Sequence, residues 1–218
     1  MKKEDIFRDT KNWYSNTSNY ASQHLITFAV NNAGNKILDV GCATGEYCQK
    51  LNGLGFKCVG VDVNPEYIAK ANENGIEAYV MDGKSLDFPD NSFDSVLLFE
   101  VLEHVNDPNG VLKEAKRVTI KNILVTVPNC TDFSGLKGLG LTYEHMLERD
   151  HINFFTKKDL EHLLSKHFKK FRVEEREPIT LGAIGLPWWL KYPILVLYKL
   201  KLINADIYFR LYAVAEVG

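Results

Sequence analysis

Residues 36–62 read KILDVGCATGEYCQKLNGLGFKCVGVD, and this stretch decides the fold. Lys36 to Val40 is a short apolar, β-branched run, the pattern of a buried strand. Gly41-Cys42-Ala43-Thr44-Gly45 follows at once, and residues this small let a ligand lie against the backbone. The spacing predicts a helix from Glu46 to Leu51 that stops at Gly53 or Gly55. Lys57 to Val61 is the next strand, with Asp62 just past its end. In open α/β sheets ligands bind beyond the carboxyl ends of the strands. Asp39, Gly41, Gly45 and Asp62 are therefore expected around one crevice.

A carboxylate after the second strand commonly bonds the hydroxyls of a ribose. The ligand is thus expected to carry a nucleoside. Counted from Gly41, a dinucleotide fingerprint would place glycines where this chain has Ala43 and Glu46. A carboxylate at the helix N-terminus is a poor neighbour for a pyrophosphate, which uses that positive end. A nucleoside without phosphates fits better, and S-adenosylmethionine is one. Its sulfonium and ammonium suit the acids, and its carboxylate suits the turn N–H groups. A dinucleotide-binding oxidoreductase is the alternative, disfavoured by Ala43 and Glu46. A non-catalytic protein that only binds the cofactor is another.

Four stretches in order, ILDVGCATGEYCQKL, VGVDVNPEYIAKAN, MDGKSLDFPDNSFDSVLLFEVLEHVNDP and ILVTVPN, resemble the successive motifs of class I S-adenosylmethionine-dependent methyltransferases. The resemblance covers residues 36–175. It implies a Rossmann-like α/β fold: a seven-stranded, mostly parallel sheet with an antiparallel last strand and helices on both faces. It implies cofactor contacts from Asp39, Gly41, Ala43, Thr44, Gly45, Asp62, Val63, Asp82, Gly83, Phe99 and Glu100. Asp82 would meet the adenine amino group, and Val63 would pack on the adenine face. Ordinary turn and core roles remain open for both.

The remaining chain fits one domain over residues 1–218. A hydrophobic fraction of 45% and a charged fraction of 25% are ordinary globular values. A net charge of −2 gives no overall electrostatic case for nucleic acid. Cys42, Cys48, Cys58 and Cys130 lack metal-type spacing, and Cys42 and Cys58 read as small core residues. The N-terminus, MKKEDIFRDTKNWY, does not resemble a signal peptide, and the expected location is the cytoplasm.

Residues 1–31 are expected to form a helical cap over the crevice mouth, where Tyr14, Tyr20 and His24 could touch ligand. Asn64-Pro65 starts a helix that ends at Gly75. Ile76–Val80, FDSVLLF and Asn122–Val127 follow as strands, and Asp107-Pro108 caps a helix through Val118. The order β-α-β-α-β predicts a parallel sheet with helices on both faces. Residues 130–155 are a loop. Thr156 to Asp159 is a capping box for a helix with Leu160, Leu163, Leu164 and Phe168 buried. Phe171–Glu177 and Asp206–Val217 complete the strands. Between those two lies an apolar insertion, residues 181–204, broken by Lys191, Lys199, Lys201, Pro187 and Pro193. Its uncharged runs are shorter than the ~18–20 residues of a spanning helix. Trp188, Trp189 and Tyr192 suit a peripheral membrane contact or a lid over a lipid-like acceptor. Packing on the domain or a dimer contact is the bland alternative.

Glu100-x-x-Glu103-His104 begins where the fourth strand ends. A helical turn there would put Glu100 on one face with Glu103 and His104. The motif resembles Glu-x-x-Glu-His of two metal-dependent methyltransferase groups, the ubiquinone-biosynthesis O-methyltransferases and the RNA 2′-O-methyltransferases acting on small-RNA ends. In the latter a distant histidine completes the site, and RDHINFFTKKDL is similar to their sequence around His151. The resemblance implies Glu100, Glu103, His104 and His151 as candidate catalytic residues, holding Mg²⁺ or Mn²⁺. Three readings stay open: a metal site, a metal-free general base at His104 or His151, and a structural Glu–His cap. The function expected is O-methylation of a small molecule, glycan or lipid-linked metabolite. The acceptor's identity and the oligomeric state are not legible.

Overall fold

The computed structural model describes residues 20–130, 150–178 and 208–218, together with Trp189, Tyr192, Pro193, Val196, Leu197 and Leu200. The expectations for Tyr14, Trp188 and the loop 131–149 fall outside those residues.

The chain begins with α1 (Gln23–Asn32), β1 (Lys36–Val40), α2 (Glu46–Gly53), β2 (Lys57–Asp62), α3 (Pro65–Glu73) and β3 (Ala78–Val80). It continues with β4 (Phe93–Phe99), α4 (Pro108–Val118), β5 (Thr119–Pro128), α5 (Lys157–Ser165), β6 (Lys170–Pro178) and β7 (Tyr208–Glu216). One seven-stranded sheet has the order β3-β2-β1-β4-β5-β7-β6. β7 runs antiparallel to both β5 and β6, and the pairs among β1 to β5 are parallel. The chain winds outward from β1 through β2 to β3, then crosses back to place β4 on β1's other side. That reversal opens a crevice at the carboxyl ends of β1 and β4.

Strands buried on both faces carry near-continuous apolar runs. Leu38, Val96, Leu98, Leu112 and Leu160 pack in one layer. Ile37, Leu97, Leu124, Leu25, Leu51 and Ile68 pack in the other. Cys42, Cys48 and Cys58 are buried, as small core residues are. Two helix starts follow the sequence closely. Asn64 Oδ1 accepts from the N–H groups of Glu66 and Tyr67, and Thr156 with Asp159 makes the capping box of α5.

Three boundaries differ from the sequence reading, each for a local reason. β3 starts at Ala78, not Ile76. The Ile76 N–H instead bonds Ala71 O, closing α3 behind Gly75 in the left-handed region. β5 starts at Thr119, directly after α4. The Thr119 hydroxyl donates to Ala115 O at 2.6 Å, so one residue ends the helix and opens the strand. Residues 100–105 form a turn rather than a helix, and Glu100 sits at φ 55°.

Candidate active site

The glycine turn is tightly bound to its neighbours. Gly41 (φ 78°), Ala43 (φ 48°) and Gly45 (φ 80°) are all left-handed. A Cβ on Gly41 would also lie 2.7 Å from Val101 Cγ2, so glycine is required twice over. The N–H groups of Gly41 and Cys42 both donate to Val61 O. Ala43 N–H donates to Asp62 Oδ2 at 2.9 Å, and Asn64 N–H to Asp62 Oδ1 at 2.9 Å. Most of the turn's donors are therefore engaged within the protein, leaving fewer for a ligand carboxylate than the sequence suggests.

Asp39 is buried and lies beneath that turn. Burial, with the Asp62 charge adding and the Cys48 thiol opposing, pushes its carboxyl up to about 7. Burial also raises Asp62, against the N–H bonds it accepts. Val63, beyond Asp62, is exposed. Asp82 follows β3 and bonds its own turn, accepting Lys84 N–H at 2.9 Å. Gly83 packs against Val40. The sheet register sets Asp39 opposite Gly60 on one side and Leu97 on the other, so Asp39, Asp62, Asp82 and Phe99 stand along one edge.

The segment before α1 closes onto the same turn. The Tyr20 hydroxyl donates to Cys42 O at 3.1 Å and accepts from Glu46 N–H at 3.2 Å. Glu46 Oε2 accepts from Ala21 N–H, and Tyr47 Oη from Ser22 N–H. Tyr20 thus bonds the glycine turn, while His24 is exposed on α1.

The Glu-x-x-Glu-His motif divides in two. Glu103, His104 and His151 come together, with one ligand atom from each lying within 4.8 Å of the others. The His104 and His151 rings meet edge to face at 4.6 Å. His151 is brought there by backbone: Ile152 and Asn153 N–H both bond Glu103 O, and Asn153 Nδ2 bonds Leu102 O and Val105 O. His104 Nδ1 lies 3.2 Å from Asp150 O. Glu100 leaves this group. Its left-handed backbone turns the side chain toward β7, where Oε2 lies 3.2 Å from Arg210 Nε. Ligation of one ion by Glu100 together with the other three is therefore not the arrangement found.

A family profile described as a methyltransferase domain matches residues 14–167. The chain belongs to the class I S-adenosylmethionine-dependent methyltransferases. The chain of an S-adenosylmethionine-dependent methyltransferase from Archaeoglobus fulgidus superposes with TM-score 0.72 at 16% identity, covering 94% of this chain and 97% of that one. A ubiquinone biosynthesis O-methyltransferase of Xanthomonas oryzae pv. oryzae (strain PXO99A) is 33% identical over 93 residues, 39% of either chain. A demethylmenaquinone methyltransferase of Corynebacterium glutamicum (strain R) is 35% identical over 86 residues, 39% of this chain and 37% of that one. The methyltransferase thus spans about two fifths of the length of these curated relatives.

Several residues of this methyltransferase site escape sequence reading. Asn153 and Asp150 flank His151 and tie it to the segment around His104, some fifty positions earlier in sequence. Arg210, Glu177 and Tyr212 surround Glu100 from strands near the end of the chain. No local pattern marks them. His167 is a packing residue, bonding Asn109 Oδ1 through Nε2 and taking Lys116 Nζ on its carbonyl. Among the described residues, no helix is long and apolar enough to cross a membrane.

Proposed function

We propose that this methyltransferase methylates a hydroxyl oxygen of a small, lipid-like acceptor. The observation that carries the proposal is the Glu103–His104–His151 cluster beside the end of β4. A bound S-adenosylmethionine supplies an electrophilic methyl group, so much of the rate comes from in-line positioning. What an alcohol or phenol needs from the protein is removal of its proton, and an imidazole is suited to that near neutral pH. Asp39, Gly41, Ala43, Thr44, Gly45, Asp62, Val63, Asp82, Gly83 and Phe99 are the residues proposed to hold the donor; the Glu100 side chain, turned toward Arg210, is left out of that set. The lipid-like character is supported by two relatives, one named for ubiquinone biosynthesis and the other for demethylmenaquinone.

The same cluster supports a second reading, a divalent metal. Two imidazoles and a carboxylate suit Mn²⁺ or Zn²⁺ better than Mg²⁺, which prefers oxygen. Such an ion would lower the pKa of the acceptor hydroxyl. Glu103, His104 and His151 would hold it, with Glu100 outside the set. An RNA acceptor has no support from the net charge of −2.

The test is methyl transfer from S-adenosylmethionine to polyprenylated hydroquinones, followed by mass spectrometry, with and without chelator. Oxygen-methylated product that falls at least tenfold in His104→Ala and His151→Ala supports the proposal. Chelator loss restored by Mn²⁺ selects the metal reading. Methylation at carbon or nitrogen, or unchanged activity in both variants, overturns the oxygen assignment.

A further inference from the structure

Arg210 is the first charged residue on β7, and its guanidinium is shared by two carboxylates. Nε lies 3.2 Å from Glu100 Oε2, and Nη1 lies 2.6 Å from Glu177 Oε2. The Tyr212 hydroxyl donates to Glu177 Oε1 at 2.5 Å. All three charged side chains are mostly buried, near a fifth exposed. Two carboxylates against one guanidinium leave the cluster with a net negative charge. Burial opposes the charge on Arg210, but the two carboxylates more than offset it and keep the guanidinium protonated.

Two features show that this cluster is more than a structural ion pair. The first is backbone strain. Glu100 sits at φ 55° and Glu177 at φ 61°, and both are partners of Arg210. A left-handed conformation is unfavourable for a non-glycine residue, and such outliers concentrate at functional sites. The second is a set of unmatched polar atoms. Glu100 Oε1, Arg210 Nε and Thr126 Oγ1 are each buried with no hydrogen-bond partner among the described residues. Arg210 Nε lies 3.2 Å from Glu100 Oε2, a charge contact whose alignment is poor for a hydrogen bond. A buried polar atom that nothing meets is unfavourable.

The sheet register places these residues on one face of the sheet. Thr126 lies opposite Phe99 on β4 and opposite Tyr212 on β7, so all three side chains share a face. Arg210, two residues before Tyr212, shares that face too. The Glu100 N–H donates to Thr126 O at 3.0 Å, tying the strained residue to the same strand position. Rings border the cluster: Tyr47 lies 5.5 Å from Phe99, and Phe28 lies 4.8 Å from Tyr212. The place is the carboxyl end of β4 and β5, on the far side of β4 from the glycine turn.

We propose that Glu100, Arg210 and Thr126 form a subsite for an uncharged hydroxyl of the methyl acceptor, with Arg210 as the positioning residue for Glu100. The chemistry of the unmatched atoms selects that group. Glu100 Oε1 only accepts, Arg210 Nε–H only donates, and the Thr126 hydroxyl does either. A hydroxyl donates once and accepts as well, so it satisfies all three. An anion meets the surplus carboxylate, and an ammonium leaves the Nε–H unmatched. The proposal rests on the methyl-transfer reading only in calling this ligand the acceptor.

The experiment uses the full chain saturated with S-adenosylhomocysteine and three probes that differ in charge: benzyl alcohol, benzoate and benzylamine. Binding is followed by ligand-observed NMR at pH 7.5. Benzyl alcohol is expected to bind at least fivefold more tightly than either ion. Thr126→Val, which keeps the shape and removes the hydroxyl, is expected to weaken benzyl alcohol at least fivefold and to leave S-adenosylhomocysteine within twofold. Arg210→Met is expected to do the same and to erase the preference against benzoate, should it fold; Thr126→Val suffices if it does not. Equal binding of the three probes, benzyl alcohol indifferent to Thr126→Val, or loss of S-adenosylhomocysteine in that variant each overturns the proposal. Failure of the unaltered chain to bind S-adenosylhomocysteine would instead overturn the methyltransferase reading.

Discussion

The backbone N–H of Ala43 points at the carboxylate of Asp62, 2.9 Å from Oδ2. Ala43 itself is left-handed at φ 48°, so the acid at the end of β2 holds the glycine turn in its strained shape. Asp62 is therefore expected to act twice, on the turn and on the ribose. Asp62→Ala should lower S-adenosylhomocysteine affinity by about 1–3 kcal/mol, the cost of stranding hydrogen-bond partners. Calorimetry measures it. Affinity retained within twofold would show that Asp62 serves the turn alone.

Asp39 gives a pH dependence whose sign is unusual for a carboxylate. Its folded pKa, about 7, lies above the ordinary aspartate value of 3.8. The native state therefore holds more protons than the unfolded state between those values, and stability falls as pH rises through that window. Crossing the window costs roughly 1.4 kcal/mol per pH unit, so the loss reaches a few kcal/mol once pH exceeds 7. Asp62 is raised as well. The informative quantity is thus the difference between the unaltered chain and Asp39→Asn in urea melts from pH 5 to 8. The unaltered chain should lose stability relative to the variant across that range. Parallel curves would mean that Asp39 titrates normally.

The order of the strands and the crevice at β1 and β4 were legible because they depend on local patterns: apolar runs, small turn residues and caps. Glu46 illustrates the limit. Its position at the helix start argued against a pyrophosphate, but the carboxylate's actual partner, Ala21 N–H, lies 25 residues back. Glu100 shows the same limit more sharply. Grouping it with Glu103 and His104 required a helical turn, whereas the pull of Arg210 and the bond to Thr126 O give a left-handed residue instead. Spacing within a motif cannot reveal a partner that sits 110 positions later on an antiparallel strand. His151 was accessible only through resemblance, because the backbone bonds of Ile152 and Asn153 that carry it to His104 leave no side-chain pattern.

The apolar stretch at residues 181–204 exposes large side chains at its described residues. Trp189, Tyr192, Pro193, Val196 and Leu197 are helical. Trp189 is 60% exposed, Tyr192 68%, Val196 53% and Leu200 62%, so large apolar side chains face outward. Their spacing of three, four and four residues matches one stripe of a helical repeat in the sequence, and Pro193 and Leu197 are exposed as well. Lys191, Lys199 and Lys201 occur within the same stretch of sequence. Aromatic and aliphatic residues on one stripe with lysines nearby are the composition of a helix that lies in a bilayer interface. The expected outcome is that the chain co-sediments with liposomes containing anionic lipid, more weakly as salt rises because the lysine contribution is screened. Trp189→Ala with Leu200→Ala should reduce sedimentation at least threefold and leave S-adenosylhomocysteine binding unchanged, since both side chains are exposed. A chain that stays in the supernatant at low salt would assign the stripe to a protein contact, and dimer formation measured by sedimentation velocity would then be lost in the same variant.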